Sequence, residues 1–333
     1  MYSLAGSRNI TRHVFVKISY QSILFRASST QISQEQKLQQ ELVSRPVNTL
    51  VDYSVATPSR SLSLSLSDFL PASCIGSSQD QGDEIPIGHH LVYFPPQVPE
   101  SQLLTDGTDP LHSPGGPYVR RMWAGGSVEF IGEPNLRFLA GKMTCAEAID
   151  EVQVKGDKIF VGIRRSITTD ESPEEPVLVE NRNLVFMKEK SPEDARRDVE
   201  RAGKIVRALH EPDYSVSLTP SQALLFRFSA LTFNAHRIHL DPQYAREVEG
   251  HRGLLVHGPL TLVLMLSVLN SQLGVDQKIK RFRYRNLAPL YAEEAMRVCV
   301  KQSRTGREGF DVWIEGKDGG YAVKGSASVG STK

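Results

Sequence analysis

The sequence predicts an α+β protein made of two similar halves, each an antiparallel sheet wrapped around a buried helix. Three observations predict this. The stretch Gly253 to Leu269, GLLVHGPLTLVLMLSVL, gives a helix from Pro259 to Leu273 with almost no polar face. A helix that is apolar all round must be surrounded by other structure. Strand candidates follow it at Lys280–Tyr284, Ala295–Ser303, Gly309–Glu315 and Tyr321–Ser328, with turns at Gly306 and Asp318-Gly319-Gly320. The first half repeats the order, with Pro58–Leu70 as the helix and strands between Gly126 and Met187.

Taken in order, the chain opens on an expected address segment, residues 1–30. It carries Arg8, Arg12, Lys17 and Arg26, scattered Ser and Thr, and no Asp or Glu. That is the composition of a mitochondrial transit peptide. Arg12, His13 and Lys17 break any run apolar enough for a secretory signal. Residues 31–187 are expected to form the N-terminal half, 188–215 a charged connection and 216–333 the C-terminal half. Residues 31–45 read as a linker or short helix. In Pro58–Leu70, Leu62, Leu64 and Leu66 alternate as in a strand, yet Leu62, Leu66, Phe69 and Leu70 share a helical face. Ser73–Glu84 is a surface loop, and residues 99–118 form a loop long enough to be functional or disordered. Lys155-Gly156-Asp157-Lys158 is a hairpin turn. Ser191-Pro192-Glu193-Asp194 starts a helix with an N-cap, a proline in the first turn and two acids. Its charged continuation is expected to bridge the halves through solvent. Thr219-Pro220 starts another helix or turn.

Composition narrows the function. The 333 residues carry 39 Lys+Arg against 38 Asp+Glu, a net charge of +1. Counterion-release binding to nucleic acid needs a strong basic excess, so no nucleic-acid partner is expected. The four leader cations account for that balance; without them +1 becomes −3. The most apolar stretch is shorter than about 20 residues and is interrupted by His257 and Pro259, so no membrane span is expected. Three distant cysteines, Cys74, Cys145 and Cys299, form neither a disulfide framework nor a metal knuckle.

Chemistry concentrates in Phe233–Asp241, FNAHRIHLD, where His236 and His239 precede His251 and His257. Imidazole gives and takes protons near neutral pH. His236, His239 and Asp241 could also hold a metal, but no second ligand cluster completes the set, and no metal is expected. A lone histidine is more often structural than catalytic.

FNAHRIHLD followed by GLLVHGPLTLVLM resembles the second half of the MaoC-like, hot-dog-fold (3R)-hydroxyacyl-thioester dehydratases, and more narrowly their eukaryotic mitochondrial type 2 branch. Upstream, GHHLVYFPP, Asp106-Gly107 and RRMWAGGSVEF resemble the first half of that family, a domain shared with mesaconyl-CoA hydratases. The resemblance covers most of residues 46–330. It implies a double hot-dog fold, with an Asp and a His handling the catalytic water. The His falls on His239. The Asp falls on Asn234, a departure, because an amide is no base at neutral pH. The type 2 and mesaconyl-CoA branches look alike in this form.

Dehydration removes an α-proton and expels a β-hydroxyl. His239 is assigned both proton transfers, a contribution of roughly 10²–10⁴-fold. Asn234 orients the hydroxyl or water. The N–H of Gly258 meets the enolate-like thioester oxygen at a helix start. His257 is assigned to substrate binding or to positioning the loop, and Arg237 and Asp241 to fixing the loop beside the substrate. The role of His236 stays open. Arg281, Arg283 and Arg285 share one face of a strand; they meet the phosphates of coenzyme A or a phosphopantetheine arm, or form a solvated edge. Arg120 and Arg121 match the family pattern without a derivable role.

The expected function is a (3R)-hydroxyacyl-thioester dehydratase or hydratase of mitochondrial type II fatty acid synthesis, located in the matrix. Its expected substrate is an acyl thioester on acyl carrier protein or coenzyme A, with no cofactor, and its state a monomer or homodimer. Mesaconyl- or itaconyl-CoA hydration is the alternative enzyme. A hot-dog thioesterase fits the His segment less well. An acyl-carrier-binding scaffold is the non-enzymatic alternative, supported by Asn234.

Overall fold

A computed structural model describes residues 33–75, 84–131, 136–138, 141–201, 205–303 and 308–331. The expected address segment at residues 1–30 lies outside them, as does most of the Ser73–Glu84 loop.

The first half runs α1 (Gln34–Val43), β1 (Asn48–Tyr53), α2 (Ala56–Leu66), the single turn α3 (Ala72–Ile75), β2 (Arg120–Phe130), β3 (Lys142–Lys155), β4 (Lys158–Thr169) and β5 (Leu178–Met187). After α4 (Pro192–Glu200), the second half runs β6 (Tyr214–Leu218), α5 (Gln222–Leu231), α6 (Pro242–Glu247), α7 (Gly258–Asn270), β7 (Gln277–Asn286), β8 (Met296–Gln302), β9 (Gly309–Glu315) and β10 (Tyr321–Ser331). The described strands form one ten-stranded sheet, β1-β3-β4-β5-β2-β7-β10-β9-β8-β6. Each half has the same internal order, and the second is the reverse of the first. The two five-stranded sheets join edge to edge where β2 pairs antiparallel with β7, Gly126 opposite Tyr284 and Val128 opposite Phe282. This is a double hot dog whose two sheets are continuous.

Glycine makes the seam possible. A bulge between Trp123 and Gly125 shifts the register of β2 against β5. Gly125 has φ +142°, and a Cβ there would fall 2.9 Å from Arg285 Cα; a Cβ on Gly126 would strike the Asn181 carbonyl. Only hydrogen at these positions lets three strands close up.

α7 sits in the main core. Leu260 and every residue from Leu262 to Leu266 are fully buried. They pack with Leu62 and Leu66 of α2, Leu225 and Phe228 of α5, and Phe282, Val298 and Val312 of the second-half sheet. Burial of one such side chain stabilises by about 1.5–3 kcal/mol, which overrides the absence of an amphipathic face. Pro58–Leu70 resolves as helix, with Leu62 and Leu66 inward and Leu64 exposed. In the first half the helix is α2, 11 residues against the 13 of α7, and both lie in the same core cluster. A short 3-10 turn, His89–Val92, follows Gly88, whose φ of +86° brings it against Val263 and Leu266 of α7. A separate cluster packs Leu42 of α1 on Ile149, Ile159, Val161 and Phe186.

α4 forms where the Ser191 signal put a helix, and the Ser191 hydroxyl accepts a hydrogen bond from the Asp194 N–H. It does not bridge through solvent as its charge implied. Ala195 is fully buried, a Cβ on Gly250 would meet its carbonyl oxygen at 2.9 Å, and Lys190 donates to the Glu249 carbonyl at 2.8 Å. Small residues, absent from a charge count, let it dock beside α6.

Candidate active site

A cleft of about 880 Å³ is walled by the loop after α5, the start of α7, the β2–β7 seam and part of the 103–112 loop. Asn234, His236, His239 and Gly258 line it, with Trp123 and Asn286 from the seam.

The loop after α5 is set by local backbone chemistry. Phe233 takes a left-handed φ of +50°, unusual for a bulky residue, and the Asn234 N–H donates to the Ser229 carbonyl at 2.9 Å. The Asn234 Oδ1 then accepts the His236 N–H at 3.0 Å, an Asx turn. This occupies one lone pair of the amide oxygen and leaves Nδ2 as the donor of the side chain. A 3-10 turn, Arg237–His239, follows. The His239 Nδ1–H donates to the Leu255 carbonyl at 2.8 Å, and the Leu255 N–H donates to the Ile238 carbonyl at 3.0 Å. A carbonyl can only accept, so Nδ1 carries the proton and Nε2 keeps its lone pair. Burial lowers the His239 pKa to about 4, against a smaller upward effect of that hydrogen bond. The ring is a neutral base at pH 7.

His257 lies behind this base rather than in the cleft wall. It is fully buried, stacks on the His239 ring with centres 3.7 Å apart, and shares a hydrogen bond with the Ser229 hydroxyl at 2.8 Å. Burial and the neighbouring His239 keep it neutral. The ring packs against His239 and is not among the residues lining the cleft. As the residue before α7, it also places Gly258 as the first helical residue. The Gly258 N–H has no carbonyl one turn earlier within the helix and is free to serve as a donor. A Cβ on Gly258 would lie 2.9 Å from Trp123 Cβ and 3.1 Å from Asn286 Nδ2. Trp123 is fixed in turn by its Nε1–H to the Tyr284 hydroxyl at 2.7 Å, and Asn286 Nδ2 donates to its carbonyl at 2.8 Å.

Arg237 and Asp241 pair at 2.7 Å outside the cleft wall. Asp241 caps α6 by accepting the Tyr244 N–H, and Arg237 lies over the Tyr244 ring, 4.2 Å from its centre. They fix the loop and are not placed to bind substrate. Asp241 and the Nδ1 of His239, two groups of the metal alternative, are hydrogen-bonded to other partners. Among the described residues no group of three or more His, Cys, Asp or Glu side chains is arranged for a metal. Of the three strand arginines, Arg285 lines the cleft, whereas Arg281 pairs with Glu129 at 2.6 Å and Arg283 is exposed away from it. Arg281 is held by the Glu129 carboxylate of β2, and Arg283 and Arg285 are both exposed.

Several residues went unread in the sequence. Asp106, from the long loop of the first half, is buried beside His236, its Oδ2 3.5 Å from the ring Nε2. The Pro- and Gly-rich setting of Asp106-Gly107 marked a loop but not its contact. Arg120 pairs with Glu249 at 2.7 Å in a buried contact that ties β2 to the segment after α6. A buried network, Arg165 with Glu147 at 3.0 Å and Arg182 with Glu180 at 2.8 Å, reaches the first-half wall of the cleft.

The sequence profile of the family described as hydroxyacyl-thioester dehydratase type 2 matches residues 88–292. Mesaconyl-C(4)-CoA hydratase of Chloroflexus aurantiacus is 32% identical over 248 residues, covering 72% of this chain and 82% of that protein. The mitochondrial hydroxyacyl-thioester dehydratase type 2 of Schizosaccharomyces pombe is 30% identical over 295 residues, covering 80% of this chain and 92% of that protein. A MaoC-like dehydratase of Phytophthora capsici shares the fold, with a TM-score of 0.66 at 14% identity over 88% of this chain and 98% of that one. The profile spans more than half of the chain, including Asn234, His236, His239 and Gly258, and on that ground the chain is a hydro-lyase that belongs to the hydroxyacyl-thioester dehydratase type 2 family.

Proposed function

We propose that this cleft interconverts (3R)-3-hydroxyacyl and trans-2-enoyl thioesters, with His239 as the base that takes the C2 proton and returns it to the departing hydroxyl. The observation that carries the reading is the His239 ring itself: neutral, its Nδ1–H fixed on the Leu255 carbonyl, its Nε2 free in the cleft wall. Electrons released at C2 move toward the thioester oxygen. The Gly258 N–H, at the positive end of α7, donates to that oxygen. Asn234 donates from Nδ2 to the hydroxyl oxygen. His257 supports the His239 ring from behind.

In this reading residues 31–187 and 216–333 are the two hot-dog halves, joined through residues 188–215. A monomer suffices, because the joined sheets already supply both layers. The proposed setting is type II fatty acid synthesis in the mitochondrial matrix, with acyl carrier protein as carrier. The acid-free leader composition and two yeast relatives named as mitochondrial support it. A second reading, hydration of a short dicarboxylic acyl-CoA, is favoured by the polar first-half wall, where the Arg182 guanidinium sits 5.1 Å from the centre of the Trp123 ring.

Substrate profiling separates these readings. Purified protein is offered 3-hydroxyacyl thioesters of both C3 configurations, on coenzyme A and on acyl carrier protein, beside mesaconyl- and itaconyl-CoA. Turnover of the (3R) hydroxyacyl series, reduced by about 10²–10⁴-fold in His239→Ala, is the expected result. Selective turnover of the dicarboxylic thioesters would establish the second reading, and no turnover of any thioester would sink both.

A further inference from the structure

Asn234 leaves a gap in the chemistry of the cleft. The substrate hydroxyl needs an acceptor for its own hydrogen, and one of the two lone pairs of the Asn234 Oδ1 is already taken by the His236 N–H. His239 has one lone pair for the C2 proton. The adjacent cleft-lining group is His236, whose ring stands edge-on to His239 with centres 5.4 Å apart.

Behind His236 lies a carboxylate from the other half of the chain. Asp106 Oδ1 accepts from the Thr108 N–H at 2.9 Å and from its hydroxyl at 2.6 Å. Asp106 Oδ2 and His236 Nε2 are each buried without a hydrogen-bond partner, and they face one another at 3.5 Å. Two orphan polar atoms in contact are costly unless they share a proton. The approach is fixed on both sides: the Arg237 N–H donates to the Asp106 carbonyl at 2.9 Å, and Gly107, at φ +83°, is pressed on the Ala235 carbonyl. Catalytic hydrogen bonds often shorten when substrate binds.

We infer that Asp106 holds the Nε2–H of His236, so that His236 Nδ1 accepts the hydrogen bond of the substrate 3-hydroxyl, a role a carboxylate at position 234 would otherwise fill. Asp106 is a positioning residue acting through His236. The proton balance is unchanged: C2–H breaks to His239, C3–O breaks, and the same proton leaves on the hydroxyl as water. The hydroxyl oxygen receives a hydrogen bond from Asn234 while its hydrogen points at His236. This inference rests on the dehydratase reading of the cleft.

The test compares Asp106→Asn, His236→Gln and Asn234→Asp, and the combinations of Asn234→Asp with each of the other two. Hydration of a short enoyl-CoA and thermal unfolding are measured on all. Asp106→Asn and His236→Gln are expected to lower kcat by about 10²-fold, with KM nearly unchanged. Asn234→Asp is expected to restore at least about tenfold in either background, because it supplies the missing acceptor. A purely structural staple would show lost thermal stability and no such rescue. Should Asp106→Asn not fold, the His236→Gln pair carries the same comparison. A folded Asp106→Asn or His236→Gln with wild-type kcat would overturn the inference, as would absence of rescue. Inactive wild-type protein would overturn the dehydratase reading with it, whereas an active wild type with unaffected variants removes only the Asp106–His236 role.

Discussion

In the proposed chemistry His239 acts as a base because it is held neutral. An ordinary imidazole is half protonated near 6.5, but burial brings this one to about 4. The sign follows from the cation being the disfavoured form, so the free base persists as pH falls from 6.5 toward about 4. In a short assay on folded protein, kcat is expected to hold across neutrality and fall only as pH approaches about 4. An acid limb centred between 6 and 7 would mean that a different group is the base. At this scale the sequence was informative about His239, Asn234 and Gly258, which converge on one cleft. It did not show where Arg281 and Arg283 lie relative to neighbouring charges. Period-two spacing puts them on one face, but it carries no record of Glu129 on the neighbouring strand. Nor could it show that His257 stacks beneath His239, because ring stacking depends on where α7 begins relative to a loop eighteen residues away.

α7 joins stability to chemistry, since its first residue is the proposed oxyanion donor and its remaining residues fill the core. Gly258→Ala is expected to disturb both. The added methyl meets Trp123 Cβ and Cγ at 2.9 Å, atoms close to the backbone that cannot swing aside. Overpacking of this kind costs about 1–3 kcal/mol, read as a lower denaturant midpoint, and displacement of the donor lowers kcat beyond that. A variant with wild-type stability and kcat would remove Gly258 from the account. α7 was legible because its apolar run leaves no alternative to burial. β1 was not. It has six residues at one end of the sheet, and its alternation is hidden in the sequence because the apolar Val51 and Tyr53 lie on the exposed face opposite Leu50. β6, at the other end, alternates cleanly as Tyr-Ser-Val-Ser-Leu but is only five residues long. α4 shows the opposite failure: its charges were clear, but its docking depends on Ala195 and Gly250.

For the molecule as a whole, the repeat was visible in the order of elements, and the β2–β7 seam was not. Alternation reports which face of a strand is buried and says nothing of which strand lies alongside. Burial on this scale also sets a pH dependence. His89, His90, His236, His239, His251 and His257 all have pKa values lowered by desolvation. The unfolded chain therefore binds protons near 6.5 that the folded chain refuses. Stability is full above 6.5 and is lost as pH falls toward about 4, by up to about 1.4 kcal/mol per pH unit for each histidine protonated only when unfolded. Below about 4.5 the ion-paired Glu147 and Glu180, both lowered, add to the loss. Urea midpoints are expected to drop steadily from pH 7 to pH 5, and a midpoint flat over that range would contradict this burial.

The central claim is that His239 moves the C2 proton. Hydration of a trans-2-enoyl thioester in D₂O, read by mass spectrometry, tests it most directly. Wild-type protein is expected to form a 3-hydroxyacyl product with one deuterium bound at C2, and His239→Gln to leave the enoyl thioester essentially unconverted while still folded. Deuterated product formed by His239→Gln at the wild-type rate would contradict the account.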